Sequence, residues 1–97
     1  MSDAPLPTLE EAVLDESTLG ALFTDLSALC AVHEVRLKGA PTAHSQEGAV
    51  TVDRALALLK TRAVRCAQVL YTHRGERWTD TVLALPEGWR LVRMRAP

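Results

Sequence analysis

The chain has 97 residues, a formal net charge of −1 and 47% apolar side chains against 24% charged ones. That length suits one domain near the small end of what folds alone, and the composition excludes a disordered polar chain. No apolar run approaches the ~18 residues that span a bilayer, which predicts no membrane segment.

The N-terminus, Met1-Ser2-Asp3-Ala4-Pro5, has neither a basic nor an apolar stretch of the kind that opens a secretion signal, so the expected location is cytoplasmic. Cys30 and Cys66 are then expected to stay reduced. Charge is unevenly spread. Residues 1–31 hold six acidic side chains and no Lys or Arg, whereas residues 32–97 hold all eleven basic ones against six acidic. Such a gradient suits charge-complementary contact, within the fold or between copies.

Residues 1–7, with Pro5 and Pro7, read as a flexible lead-in to a single domain over 8–97. Thr8-Leu9-Glu10-Glu11 has the spacing of a capping box and predicts a short helical turn through Leu14. The main helix follows, with Asp15 or Ser17 as N-cap. Leu19, Leu22, Phe23, Leu26, Leu29 and Cys30 make one apolar stripe at helical spacing. From Val32 to Lys38 the pattern alternates, predicting a half-buried strand with His33, Val35 and Leu37 on one side. A loop over 39–51 carries the polar cluster His44-Ser45-Gln46-Glu47, and loops of that length are commonly functional or mobile. Thr51 caps a second helix over about 52–62, whose buried stripe is Val52, Ala55, Leu56 and Leu59.

Residues 64–95 read as three strands joined by two tight turns. Arg at positive φ is unfavourable, so three-residue loops are expected at His73-Arg74-Gly75 and at Pro86-Glu87-Gly88. In that register Cys66, Leu70, Trp78, Val82, Val92 and Met94 share one face, and Val69, Tyr71, Leu83, Leu85, Trp89 and Leu91 share the other. The expected fold is an α+β two-layer sandwich, order α-β-α-β-β-β, with the helices packed on one face of a mainly antiparallel four-stranded sheet.

Both faces being apolar, the uncovered one is expected to meet a partner, either a second copy in a homodimer or a larger protein. Its candidate contact residues are Tyr71, Leu83, Leu85, Trp89, Leu91 and Arg93, with the 39–51 loop as a second surface. Trp, Tyr and Arg are residue types that interface centres favour. The function this implies is that of a small non-catalytic accessory or adaptor protein.

An alternative is binding of zinc or another transition metal by Cys30, His33 and Cys66. Cys30 and His33 have C-x-x-H spacing, but structural zinc sites carry two such close pairs. A further alternative is a small enzyme or ligand binder with a pocket near the 39–51 loop. No paired carboxylates or Gly-rich phosphate loop point to a particular reaction, and Asp80 is expected to pair with Arg93 or Arg95 on the next strand. Arginines interleaved with Tyr71, Trp78 and Trp89 would suit single-stranded nucleic acid, but a pI near 6.3 argues against that partner.

Overall fold

The computed structural model describes residues 9–39 and 50–96. Its elements in chain order are β1 (Leu9–Leu14), α1 (Glu16–Leu29), β2 (Ala31–Lys38), α2 (Val52–Lys60), β3 (Cys66–His73), β4 (Glu76–Leu85) and β5 (Gly88–Arg95). The lead-in over 1–7, Thr8 and most of the 39–51 loop lie outside the described residues. Over the described residues the fold is α+β, with two helices and a five-stranded antiparallel sheet in the order β1-β5-β4-β3-β2.

The strand count corrects the expectation of four. Leu9-Glu10-Glu11-Ala12-Val13-Leu14 is not a helical turn but an edge strand, paired antiparallel with β5 from Leu9–Met94 to Leu14–Trp89. Without β1, β5 would expose a full row of backbone donors and acceptors, and that long-range demand overrides the local helical spacing. Asp15 then starts α1 directly, accepting a 2.8 Å hydrogen bond from the Thr18 amide. That bond holds the Asp15 carboxyl below its usual range. Thr51 caps α2 in the same way through the Arg54 amide.

The core forms where Leu19, Phe23 and Leu26 of α1 and Val52, Ala55 and Leu59 of α2 meet Ala67, Val69, Tyr71, Val82 and Trp89 of the sheet. At the end of α2, Arg62 stacks its guanidinium over the Trp89 ring at 4.6 Å and donates to the Leu85 carbonyl. The Trp89 indole N–H donates to the carbonyl of Leu59. Trp89 therefore ties the last turn of α2 to the β4–β5 hairpin.

Both hairpins are tighter than the sequence predicts. His73 pairs with Glu76 and Leu85 with Gly88, so each loop has two residues, Arg74-Gly75 and Pro86-Glu87. Arg74 and Gly75 adopt φ of 53° and 80°, the type I′ conformation whose twist matches the flanking strands. Twist and pairing outweigh the cost of placing Arg in the left-handed region. Each shortened loop moves the register by one residue, and the two shifts offset one another across β5. Val69, Tyr71, Trp89 and Leu91 do share a face, as expected, but β4 is turned over. Trp78, Asp80, Val82 and Ala84 join them, while Leu83 and Leu85 lie on the opposite face.

The helices cover the Val69–Trp89 face. In β2, a bulge between Val32 and Glu34 turns Val32 toward the helices with Val35 and Leu37. It sends His33 to the other side, where its Nε2 lies 2.6 Å from Thr72 Oγ1.

The strain at Arg74 is testable. Replacing Arg74 by Asn, which tolerates positive φ and sits at an exposed turn, should raise stability by about 1 kcal/mol, seen as a higher urea midpoint with unchanged slope.

Candidate functional site

The helix-covered face encloses a polar network at its centre. Asp80, in mid-β4, is 0% exposed. Its register partners are Val69 on β3 and Arg93 on β5. Arg93 donates from Nε to Oδ1 at 2.9 Å and from Nη2 to Oδ2 at 2.8 Å, a two-pronged pairing. The Tyr71 hydroxyl also donates to Oδ1, at 2.9 Å. Arg93, rather than Arg95, is thus the partner of Asp80, and Arg95 pairs with Glu76. Among the described residues no buried side-chain nitrogen or oxygen lacks a hydrogen-bond partner. Burial, and the neighbouring Asp80 charge, push the Tyr71 phenol far above its usual range. The hydrogen bonds that Arg93 donates to Asp80 hold its guanidinium all the more firmly in its charged form.

Beside this network a cleft of about 490 Å³ opens at one end of the sheet. It lies where β1 begins, β3 and β5 end and α1 runs out. Its floor is Tyr71, Trp78 and Arg93 from the sheet, with His73 at the end of β3. Leu22, Leu26 and Leu29 of α1 form the apolar wall, and Leu29, 65% exposed, overhangs the opening. Glu10 from β1 and Asp25 from α1 also line it. Cys30, the C-cap of α1, places its sulfur 3.7 Å from Nδ1 of His73. Burial pushes the Cys30 thiol up, so at neutral pH it is held protonated, and burial does the same to Cys66.

The residues singled out from the sequence are distributed differently from expectation. Tyr71, Trp89, Leu91 and Arg93 belong to the covered face, Tyr71 and Trp89 as part of the core. Of the six expected contact residues, only Leu83 and Leu85 lie on the open face. The physical reason is the inverted β4 together with the helices settling on the opposite side from the one assumed.

The alternative metal set is likewise dispersed. Cys30 turns toward His73 on the covered side, His33 toward Thr72 on the open side. Cys66 starts the strand that His73 ends, a separation of roughly 23 Å at ~3.3 Å per residue. Among the described residues no group of three or more His, Cys, Asp or Glu side chains comes together to hold a metal ion. The cleft is also at the far end of the sheet from Lys38, and the loop expected to border a pocket lies mostly outside the described residues. That loop leaves β2 at Lys38, which pairs with Cys66.

His73, which the sequence offers as a further donor beside Cys30, is the histidine that faces the Cys30 sulfur, in place of His33. The pairing of Asp80 with an arginine of the next strand was legible in the sequence, whereas the Tyr71 hydroxyl as a further donor to Asp80 was not.

The chain has no significant match among protein-family models, curated proteins or solved structures.

Two predictions follow from the network. Asp80→Ala would leave the Arg93 cation half-buried without its partner and should cost about 3 kcal/mol or more in chemical denaturation. The double variant Asp80→Leu/Arg93→Met, which removes both charges, should be markedly more stable than Asp80→Ala. Tyr71 is the single tyrosine of the chain, so phenolate absorbance reports it alone. Native protein should show no phenolate as pH passes the ordinary value of 10.0, whereas unfolded protein titrates there. Because the folded pKa is raised, the contribution of Tyr71 is complete below pH 10 and is lost above it. Stability should therefore fall with rising alkalinity, and less steeply in Tyr71→Phe.

Proposed function

We propose that the protein is a small, non-catalytic accessory protein of the cytoplasm that acts through protein–protein contact, by pairing with a second copy across the open face of its sheet. The observation that supports this most is the character of that face. Val13, Met94 and Leu83 are exposed to 68%, 51% and 36% respectively. Leu70, Leu85 and Val92 lie half-buried on the same side.

The polar groups among them are largely satisfied already. Gln68 donates to Thr81, Arg90 pairs with Glu11 and Arg36 with Glu34. Covering such a face removes apolar surface from water while leaving few polar atoms without partners, the condition under which burial is favourable. Arg77 and Lys38, by register, stand at separate margins of the face, where charge in an interface rim is tolerated. Isologous pairing about a twofold axis would place the β4 and β5 side chains of the two copies at the centre. The two free thiols suit a reducing compartment.

Leu83→Glu combined with Met94→Glu should leave the circular dichroism spectrum and the thermal transition cooperative, since both side chains point away from the core. The wild-type protein should run as a dimer in light scattering and the variant as a monomer. A wild-type protein that stays monomeric at high concentration would defeat the pairing, and a variant that stays dimeric would defeat this surface.

A further inference from the structure

The cleft on the helix side is a separate feature, and its charges do not balance. Among the described residues the single guanidinium lining it, that of Arg93, is already bonded to Asp80, so this pair contributes no net charge to an incoming ligand. Glu10 is the cross-strand partner of Arg93 at the opening, and Asp25 stands on the α1 side. Both carboxylates are exposed, and Cys30 remains a neutral thiol. The remaining surface is apolar and aromatic apart from the His73 imidazole, whose Nδ1 faces the Cys30 sulfur, with Leu22, Leu26 and Leu29 above and the Trp78 and Tyr71 rings below. The volume of about 490 Å³ lies inside the roughly 300–1,000 Å³ range of small-ligand sites.

We propose that this cleft binds a small organic cation, an ammonium group carried on an aromatic or branched aliphatic body. The apolar body lies between the α1 leucines and Trp78, removed from water. The ammonium is left at the opening between Glu10 and Asp25, within reach of the negative face of the indole. An anion of the same shape would meet two carboxylates and find no free guanidinium among the described residues lining the cleft. A neutral isostere would gain only the apolar contact. Preference for the cation is therefore electrostatic, and the site works independently of the open sheet face.

The probe is 2-phenylethylamine, with 2-phenylethanol and phenylacetate as neutral and anionic isosteres. Binding is measured by calorimetry and by chemical-shift changes of the Trp78 and Leu29 signals. The amine should bind saturably and roughly tenfold more tightly than the alcohol, with phenylacetate weakest. Glu10→Gln/Asp25→Asn should reduce amine affinity about tenfold and leave alcohol affinity unchanged. The Leu83→Glu/Met94→Glu variant should bind the amine as wild type does, so failure of dimerisation and failure of this site are told apart. Equal affinity for the three probes, a preference for phenylacetate, absence of saturation at millimolar amine, or an unchanged affinity in Glu10→Gln/Asp25→Asn would each overturn the proposal. Both substituted carboxylates are exposed, and should the double variant nonetheless fail to fold, the single variants carry the same expectation at smaller amplitude.

Discussion

A carboxylate sealed inside a small α+β domain is tolerable only if its charge and its lone pairs are answered, and Asp80 has both answered by two residues from two different strands. Arg93 on β5 supplies the charge and two donors, and Tyr71 on β3 supplies a third donor. Removing an ion from water costs several kcal/mol even after relaxation, so a misaligned sheet forfeits the arrangement entirely. Sliding β4 by one residue against either neighbour would carry Asp80 to the open face and leave the Arg93 charge against apolar side chains. The network therefore acts as a register lock on β3, β4 and β5. The β4–β5 hairpin is fixed again at its far end by Trp89 and Arg62. Gly88 belongs to the same region. Its φ is +103°, and a Cβ there would sit 2.8 Å from the Leu14 carbonyl oxygen, so β1 can close on β5 only with glycine at that position.

The sheet's two edges are treated differently. β2 carries a bulge at His33 and an outward row of Glu34, Arg36 and Lys38, features that discourage another strand from adding to it. β1 is short, and its outward positions alternate Glu11 with Val13. Part of the chain's charge gradient is spent here and on the helix side, where Glu11 meets Arg90 and Glu16 meets Lys60. Those acidic N-terminal residues thus neutralise basic ones within one molecule, which leaves the open face closer to neutral than its arginines alone suggest.

How much of this was readable in the sequence follows from the range of the interaction involved. The stripe of α1, the N-caps at Asp15 and Thr51, and the alternation in β3 and β5 are set by near neighbours and were legible. β1 was not, because Leu9-Glu10-Glu11-Ala12-Val13-Leu14 fits helical spacing as well as alternation, and only the open edge of β5, some eighty residues away, decides between them. The turn at Arg74-Gly75 was misread because a local penalty at Arg74 was weighed without the twist of the strands it joins. One residue of error there turned over the whole of β4. The second shortened loop compensated for β5, so the grouping of Val69 and Tyr71 with Trp89 and Leu91 survived although its reasons did not. Which face the helices would choose was not decidable from patterning, since both faces carry leucine and valine. It is the buried network and the two aromatic rings, all on one side, that make that side the interior.

The cleft has a geometrical origin in the mismatch between the two layers. Five strands at ~4.8 Å spacing make a sheet about 24 Å wide, and β4, with 10 residues, runs roughly 33 Å. α1, with 14 residues, extends only about 21 Å, and α2, with nine, about 14 Å. Helices of that length cannot roof the full sheet, so among the described residues one end of the covered face is left under the last turn of α1 alone. Asp80 and Tyr71 are buried, whereas Arg93 keeps part of its side chain exposed at the margin of the roof. That partly exposed guanidinium lets the structural network share its border with a surface depression. Tyr71 and Arg93, which hold the register, thereby form part of the floor of a recess in which aromatic, acidic and thiol groups of four different elements adjoin.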